Sequence, residues 1–195
     1  MKFTRAKAVA AVSLLFTMSC GRQQQTASNQ KVTPQASTSQ SQSQNYPNLA
    51  TQAKEVNDAF VRKDFGKVSD MTYAKVVQSS GGRDQMVSLL AQGVAEQEAA
   101  GGFLLSSSPG APTQIVESSG SIYAVIPTTL KIKTRDGTFQ ASGCLIGISN
   151  DNGKNWTFVD AGGKKPNEIK AVLPEVADKL DLPKETEPVR ISEGK

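Results

Sequence analysis

The side chains able to do chemistry are few, and one type is missing: the 195 residues contain no histidine. That removes Ser-His-Asp and Cys-His nucleophile systems, histidine-ligated zinc and the commonest general base near neutral pH. The two cysteines, Cys20 and Cys144, stand far apart. Cys144 lies in the apolar run Gly-Cys-Leu-Ile-Gly-Ile, where a thiol serves as a small hydrophobic side chain rather than a metal ligand. Lys131, Lys133 and Arg135 alternate with Leu130, Ile132 and Thr134. Period-two spacing puts the cations on one face of a strand, a stripe suited to anionic glycans or lipid headgroups and equally to a plain solvated face. Gly162-Gly163-Lys164-Lys165 is not a phosphate loop, because it lacks the earlier glycine and the hydroxyl residue after lysine. No residue pattern calls for a metal or a cofactor.

Ser149, Asp151, Gly153 and Trp156 fit S-x-D-x-G-x-x-W and resemble the Asp-box of sialidases. A calcium loop in that register would put Ile148 and Val159 at ligand positions, which neither can fill. A propeller needs at least about four blades of roughly 40–50 residues, and the motif occurs here once. The expectation is a structural turn: Asp151 accepts hydrogen bonds from turn amides, Gly153 supplies positive φ and Trp156 covers the hairpin.

The N-terminus carries processing signals. Lys2, Arg5 and Lys7 precede the apolar run from Ala8 to Met18. As a helix that run reaches only about 16 Å, against a bilayer core of about 30 Å. Ser19-Cys20-Gly21 resembles the cleavage and lipidation site of bacterial lipoproteins, with a small residue before the cut and a thiol to receive the lipid. Thr17 departs from the leucine usual there. The resemblance implies residues 1–19 as signal peptide, acylation at Cys20 and a place in the bacterial cell envelope. Gly21, rather than aspartate, favours the outer membrane where there are two. Acyl chains contribute about 0.8 kcal/mol per buried methylene, so two or three hold firmly.

Removing residues 1–19 takes away three of the 22 basic groups and none of the 18 acidic ones, so the net charge falls from +4 to 19 − 18 = +1. Nucleic-acid binding loses its main argument. With Cys20 acylated, Cys144 has no partner for a disulfide. Residues 20–45 are rich in Gln, Ser and Thr, with Val32 the one sizeable aliphatic after Cys20. Such a segment buries too little to offset ordering entropy and is expected to be a disordered tether, about 25–30 Å long on average.

Residues 46–183 are left as one domain, with 184–195 as a flexible tail. A helix is expected from Tyr46-Pro47 through Lys63, with Leu49, Ala53, Val56 and Phe60 on one face, and a short one over Lys67–Thr72. Tyr73 to Gly82 reads as a link. A second long helix runs from Arg83 to about Ala99, with Met86, Leu89, Leu90 and Val94 as its apolar set. Period-two segments follow: a strand after Gly102, then Pro112–Glu117, Ser121–Thr134, Phe139–Ser149 and Trp156–Asp160, the last four separated by turn clusters. This predicts an antiparallel meander with helices on one face, an α+β fold. Pro127 should sit at an edge or a bend, and Leu173-Pro174 should open a final short helix.

That order, with "AFVRKDFGKVSDMTYAKVVQSSGG", "SIYAVIPTTLKIK" and "CLIGISNDNGKNWTFVD" as its pieces, resembles the nuclear transport factor 2-like family, the α+β cone fold. The family includes isomerase-like and dehydratase-like enzymes and many non-catalytic pocketed domains, so the resemblance implies a pocket rather than a reaction. Its enzymes tune an aspartate or tyrosine by burial; the positions this suggests are Asp70, Tyr73, Asp84 and Tyr123. The function expected is a lipid-anchored envelope protein whose cone binds a small apolar ligand or a protein partner without catalysis. The alternatives are an isomerase-like or dehydratase-like enzyme using a pocket Asp or Tyr, and anion or glycan binding through Lys131, Lys133 and Arg135. The partners expected are the membrane, an unidentified small molecule or envelope protein, and a second copy in a homodimer.

Overall fold

The computed structural model describes residues 46–184 and 186–191. The expected signal peptide, Cys20 and the tether lie outside them. The chain forms an α+β fold: helices and a strongly curled, six-stranded antiparallel sheet. Helix α1 is Pro47–Val61, α2 Phe65–Met71, α3 Ala74–Ser79 and α4 Arg83–Ala99. Strands β1 (Phe103–Pro109), β2 (Gln114–Ser118), β3 (Ser121–Thr134), β4 (Gly137–Ser149) and β5 (Thr157–Asp160) follow, then α5 (Pro166–Val172), a 3₁₀ turn at Ala177–Lys179 and β6 (Val189–Ile191). Among the described residues, no helix is long and apolar enough to cross a membrane.

The frame is the hairpin of β3 and β4, paired from Ile122↔Ser149 to Thr134↔Gly137. Its outer edges are each shared by two short strands. On β3, β2 pairs beside residues 121–125 and β1 beside 128–133; on β4, β5 pairs beside 145–148 and β6 beside 138–140. The hairpin therefore has a near half, bounded by β2 and β5, and a far half, bounded by β1 and β6. Pro127, opposite Cys144, lies between them. The carbonyls of Val125 and Pro127 accept from Thr113 and Gly110, so the proline nitrogen points to the gap where β1 hands over to β2. A residue with no N–H fits there because no ladder partner awaits it.

Both faces of the near half are covered. On one, Leu49, Ala53 and Val56 of α1 pack with Ile122, Ala124, Ile126, Trp156 and Phe158. On the other, Ile169, Leu173 and Val176 pack with Tyr123, Val125, Ile146 and Ile148. The sequence pattern predicted helices on one face alone. The difference arises because β3 buries five consecutive residues, 122–126, and a strand buried on both sides does not alternate.

Three other expectations change. Tyr73 to Gly82 is not merely a link but contains α3, which has no buried residue and hence no apolar periodicity to reveal it. An α-helix that was not expected, α5, ends before Leu173: Pro166 fits its first turn and the Glu168 carboxylate accepts from the Lys165 N–H, while Pro174 forces Leu173 out of helical geometry, and the short helix expected after Leu173-Pro174 is the 3₁₀ turn at Ala177–Lys179. The expected tail at 184–195 includes β6, which pairs with Thr138–Gln140.

Candidate functional site

The Asp-box turn has the geometry its residue types demand. Asp151 accepts from the Asn155 N–H (2.9 Å), the Asn155 amide (2.6 Å) and the Ser149 hydroxyl (2.8 Å). These bonds, with the Asn155 N–H foremost, pull its carboxyl down to about 2. Gly153 has φ 80°, its N–H donates to Ser149 Oγ (2.9 Å), and its carbonyl accepts from the Trp156 indole (3.0 Å). Gln52 of α1 accepts from the Trp156 N–H (2.8 Å) and donates to the Lys154 carbonyl (3.0 Å), while Tyr46 meets the Trp156 ring edge-on at 5.7 Å. The turn thus ties the start of α1 to the sheet.

The four positions suggested for a pocket fall into two unrelated places. Asp70 makes a two-pronged ion pair with Arg83 (2.6 and 3.0 Å) in solvent, and the Asp84 side chain is fully exposed. Neither meets an apolar cavity. Tyr73 and Tyr123 do share a cluster, on the face covered by the C-terminal segment. The Tyr123 hydroxyl donates to Glu175 (2.9 Å); burial, with that carboxylate second, pushes the phenol up to about 12. The space around it is filled by Leu173 and Val176, so Tyr123 latches the segment down. Cys144 is buried and its thiol is pushed up to about 12, chiefly by burial.

Lys131, Lys133 and Arg135 are exposed on the far half, and none forms an ion pair with a described residue. Ser106 and Phe103 of β1 lie opposite Lys131 and Lys133, and Gln140 and Thr138 lie opposite them on β4. Arg135 bends back over Gly101 at the entry to β1.

The opposite face of the far half is apolar but incompletely covered. Leu104, Leu130, Ile132, Phe139 and Ala141 are all half-buried. Helix α1 seats on β1, where buried Asn57 accepts from the Ser107 hydroxyl, but α4 packs on α2 and α3. Both ends of α4 are held: Met86 meets Ser69, and Glu98 pairs with Lys63 (2.6 Å) at the end of α1. Along its middle, Leu89, Leu90 and Val94 stay half-buried.

At the β5 end of this face lies a carboxylate that the sequence reasoning missed, Asp160. It pairs with Leu145, on the same face as Phe158, and accepts from the Gly162 N–H (3.0 Å). The signal was present: Trp156, Phe158 and Asp160 alternate, which places a charge on the apolar face. An open pocket of about 400 Å³ lies at the other end of the sheet and is lined by Tyr46, residues 117–122 and Asn152. Among the described residues, no three of His, Cys, Asp and Glu come together as a metal site. No protein-family model matches the chain, and no curated protein sequence matches it.

Proposed function

We propose that the protein is a lipid-anchored component of the bacterial cell envelope. Its folded domain, cone-like in the manner of the nuclear transport factor 2-like family, binds a small apolar ligand without catalysis. The observation that carries the ligand reading is the incompletely covered apolar face of the far half. Its leucines, isoleucine and phenylalanine are half-buried, whereas Ile122 and Ala124 of β3 and Phe158 of β5, on the same face of the near half, are buried to 6 % exposure or less. Leaving such surface wet costs about 25 cal/mol per Å², a cost that a bound apolar body removes.

The experiment is cleft filling. Ala141→Trp and Leu130→Trp should each reduce binding of an apolar fluorescent probe at least tenfold while thermal unfolding stays cooperative. Undiminished binding in both variants would end the reading. The anchor is tested separately, since Cys20→Ala should move the protein from the membrane fraction to the soluble one. A wild-type chain that is already soluble in bacterial cells rules the anchor out.

A second reading is supported by the exposed Lys131 and Lys133 of β3, with Arg135 in the turn that follows: binding of anionic glycans or headgroups on the reverse face of the same half. Reversing all three charges should then abolish retention on an anionic polymer at low salt. Retention that survives the reversal removes this reading.

A further inference from the structure

The open pocket at the near end of the sheet is built by three separate parts of the chain: Tyr46 before α1, the turn between β2 and β3, and the Asp-box turn. Its volume of about 400 Å³ falls in the range of small-molecule sites, and the buried Ile122 lines its base. A Cβ on Gly120 would meet nothing within 4 Å, so the space beside that turn is open. Tyr46, on the opposite wall, is held in place. A Cβ on Gly153 would strike its ring, and Trp156 meets it edge-on.

The fold leaves three polar side chains of this pocket unused. Glu117 accepts one long bond, 3.4 Å, from the Tyr46 hydroxyl and has no ion pair among the described residues. The Ser119 hydroxyl and the Asn152 amide make no hydrogen bond to another described residue. Their neighbours are committed: Ser121 donates to Asn150 (2.7 Å) and Ser118 to the Glu175 carbonyl (3.3 Å). Ser119 and Asn152 also have positive φ, 53° and 59°, where side chains are rare. Glycine takes that conformation without steric cost, so the turns alone do not call for a hydroxyl or an amide at these places. Glu117 is the one charged residue in the lining, which therefore favours hydrogen-bond donors and repels anions.

The geometry points to a saccharide site: a pyranose unit, uncharged or bearing an ammonium, with its hydroxyls among Glu117, Ser119 and Asn152 and its ring carbons toward Tyr46 and Ile122. A pyranose carries hydroxyls around its rim and C–H groups on its faces, the same division into polar rim and apolar wall that the pocket offers. This site lies at the opposite end of the sheet from the apolar cleft and does not depend on it.

The test titrates the full chain with glucosamine, glucose and glucuronate, which share a ring and differ in charge, and reads binding by saturation-transfer NMR. At about pH 6, where the amine is protonated and the acid ionised, glucosamine should bind at least about tenfold more tightly than glucuronate, with glucose between them. Glu117→Gln should bring the three within about threefold of one another, because it removes the charge and keeps the shape. Ser119→Gly and Asn152→Gly should each weaken glucosamine and glucose by about threefold or more while the urea midpoint holds or rises, an outcome that a purely structural role for these side chains would not give. Ala141→Trp, in the apolar cleft, should leave all three affinities unchanged. Failure of all three sugars to bind, or glucuronate binding as tightly as glucosamine, overturns the inference and leaves the cleft standing. Unchanged sugar binding in both glycine variants overturns the assignment of the site.

Discussion

The near and far halves of the β3–β4 hairpin belong to the same two strands, yet they have opposite fates. In the near half, Ile146 is fully buried, with α1 on one side of the sheet and the C-terminal segment on the other. In the far half, Ile132 is half-buried and the lysines on its reverse face stand in solvent. Alternation decides which way a side chain points; what crosses over it decides whether it is buried. The near half is built for stability, and the far half keeps surface in reserve.

The sharpest challenge to that contrast is a matched pair of truncations. Ile146→Ala should cost about 2–5 kcal/mol in urea unfolding and Ile132→Ala about 1 kcal/mol, since a half-buried site relaxes into solvent instead of leaving a cavity. Equal costs would erase the distinction. A smaller effect is expected at the clasp that anchors the near half. Gly153→Ala forces a side chain onto positive φ and against the Tyr46 ring, and should lower stability by about 1–3 kcal/mol. An unchanged melting temperature would mean that Tyr46 yields freely.

Acid should then loosen the clasp before the far half. Asp151 is held at about 2, below its ordinary 3.8, so on acidification the unfolded chain takes up the proton first. The contribution of the turn is complete above about pH 4 and is lost as pH falls toward 2. Asp151→Asn should remove that part of the acid dependence, and an identical pH profile in the variant counts against the network. The smallest effect belongs to the stripe. Lys131→Glu with Lys133→Glu should change stability by no more than about 0.5 kcal/mol, because neither side chain is paired with a described residue. A larger loss would show that the lysines hold the fold rather than face a partner.

Much of this frame was legible in the residues. Proline at 47, Gly101-Gly102 and the turn clusters marked α1, α4 and the long hairpin within a few residues of their ends. The Asp-box could be read as a turn because each of its side chains has a local task. What escaped notice had no local signal. Helix α3 is six residues long with valines only half-buried, and β6 is only Val189–Ile191, too short for a pattern. Asp70 and Asp84 looked like pocket candidates because their sequence position does not reveal that Arg83 grips one and that the other, though near Arg83, stands fully exposed. Asp160 went the opposite way: its alternation with Trp156 and Phe158 was visible, but only its pairing with Leu145 shows that it lies at the end of the apolar face.

Pro127 gives the two halves a dynamic boundary as well. A sheet frays from its ends, rung by rung, until it meets a cooperative unit that resists. Fraying that starts at the Thr134–Gly137 end reaches, at Pro127, a position where the β3 edge already lacks an amide donor, and beyond it lies the doubly covered core. Backbone amides of the far half should therefore exchange with solvent deuterium as one faster group and those of the near half as a slower one. Opening of the far end should then leave the doubly covered near half intact.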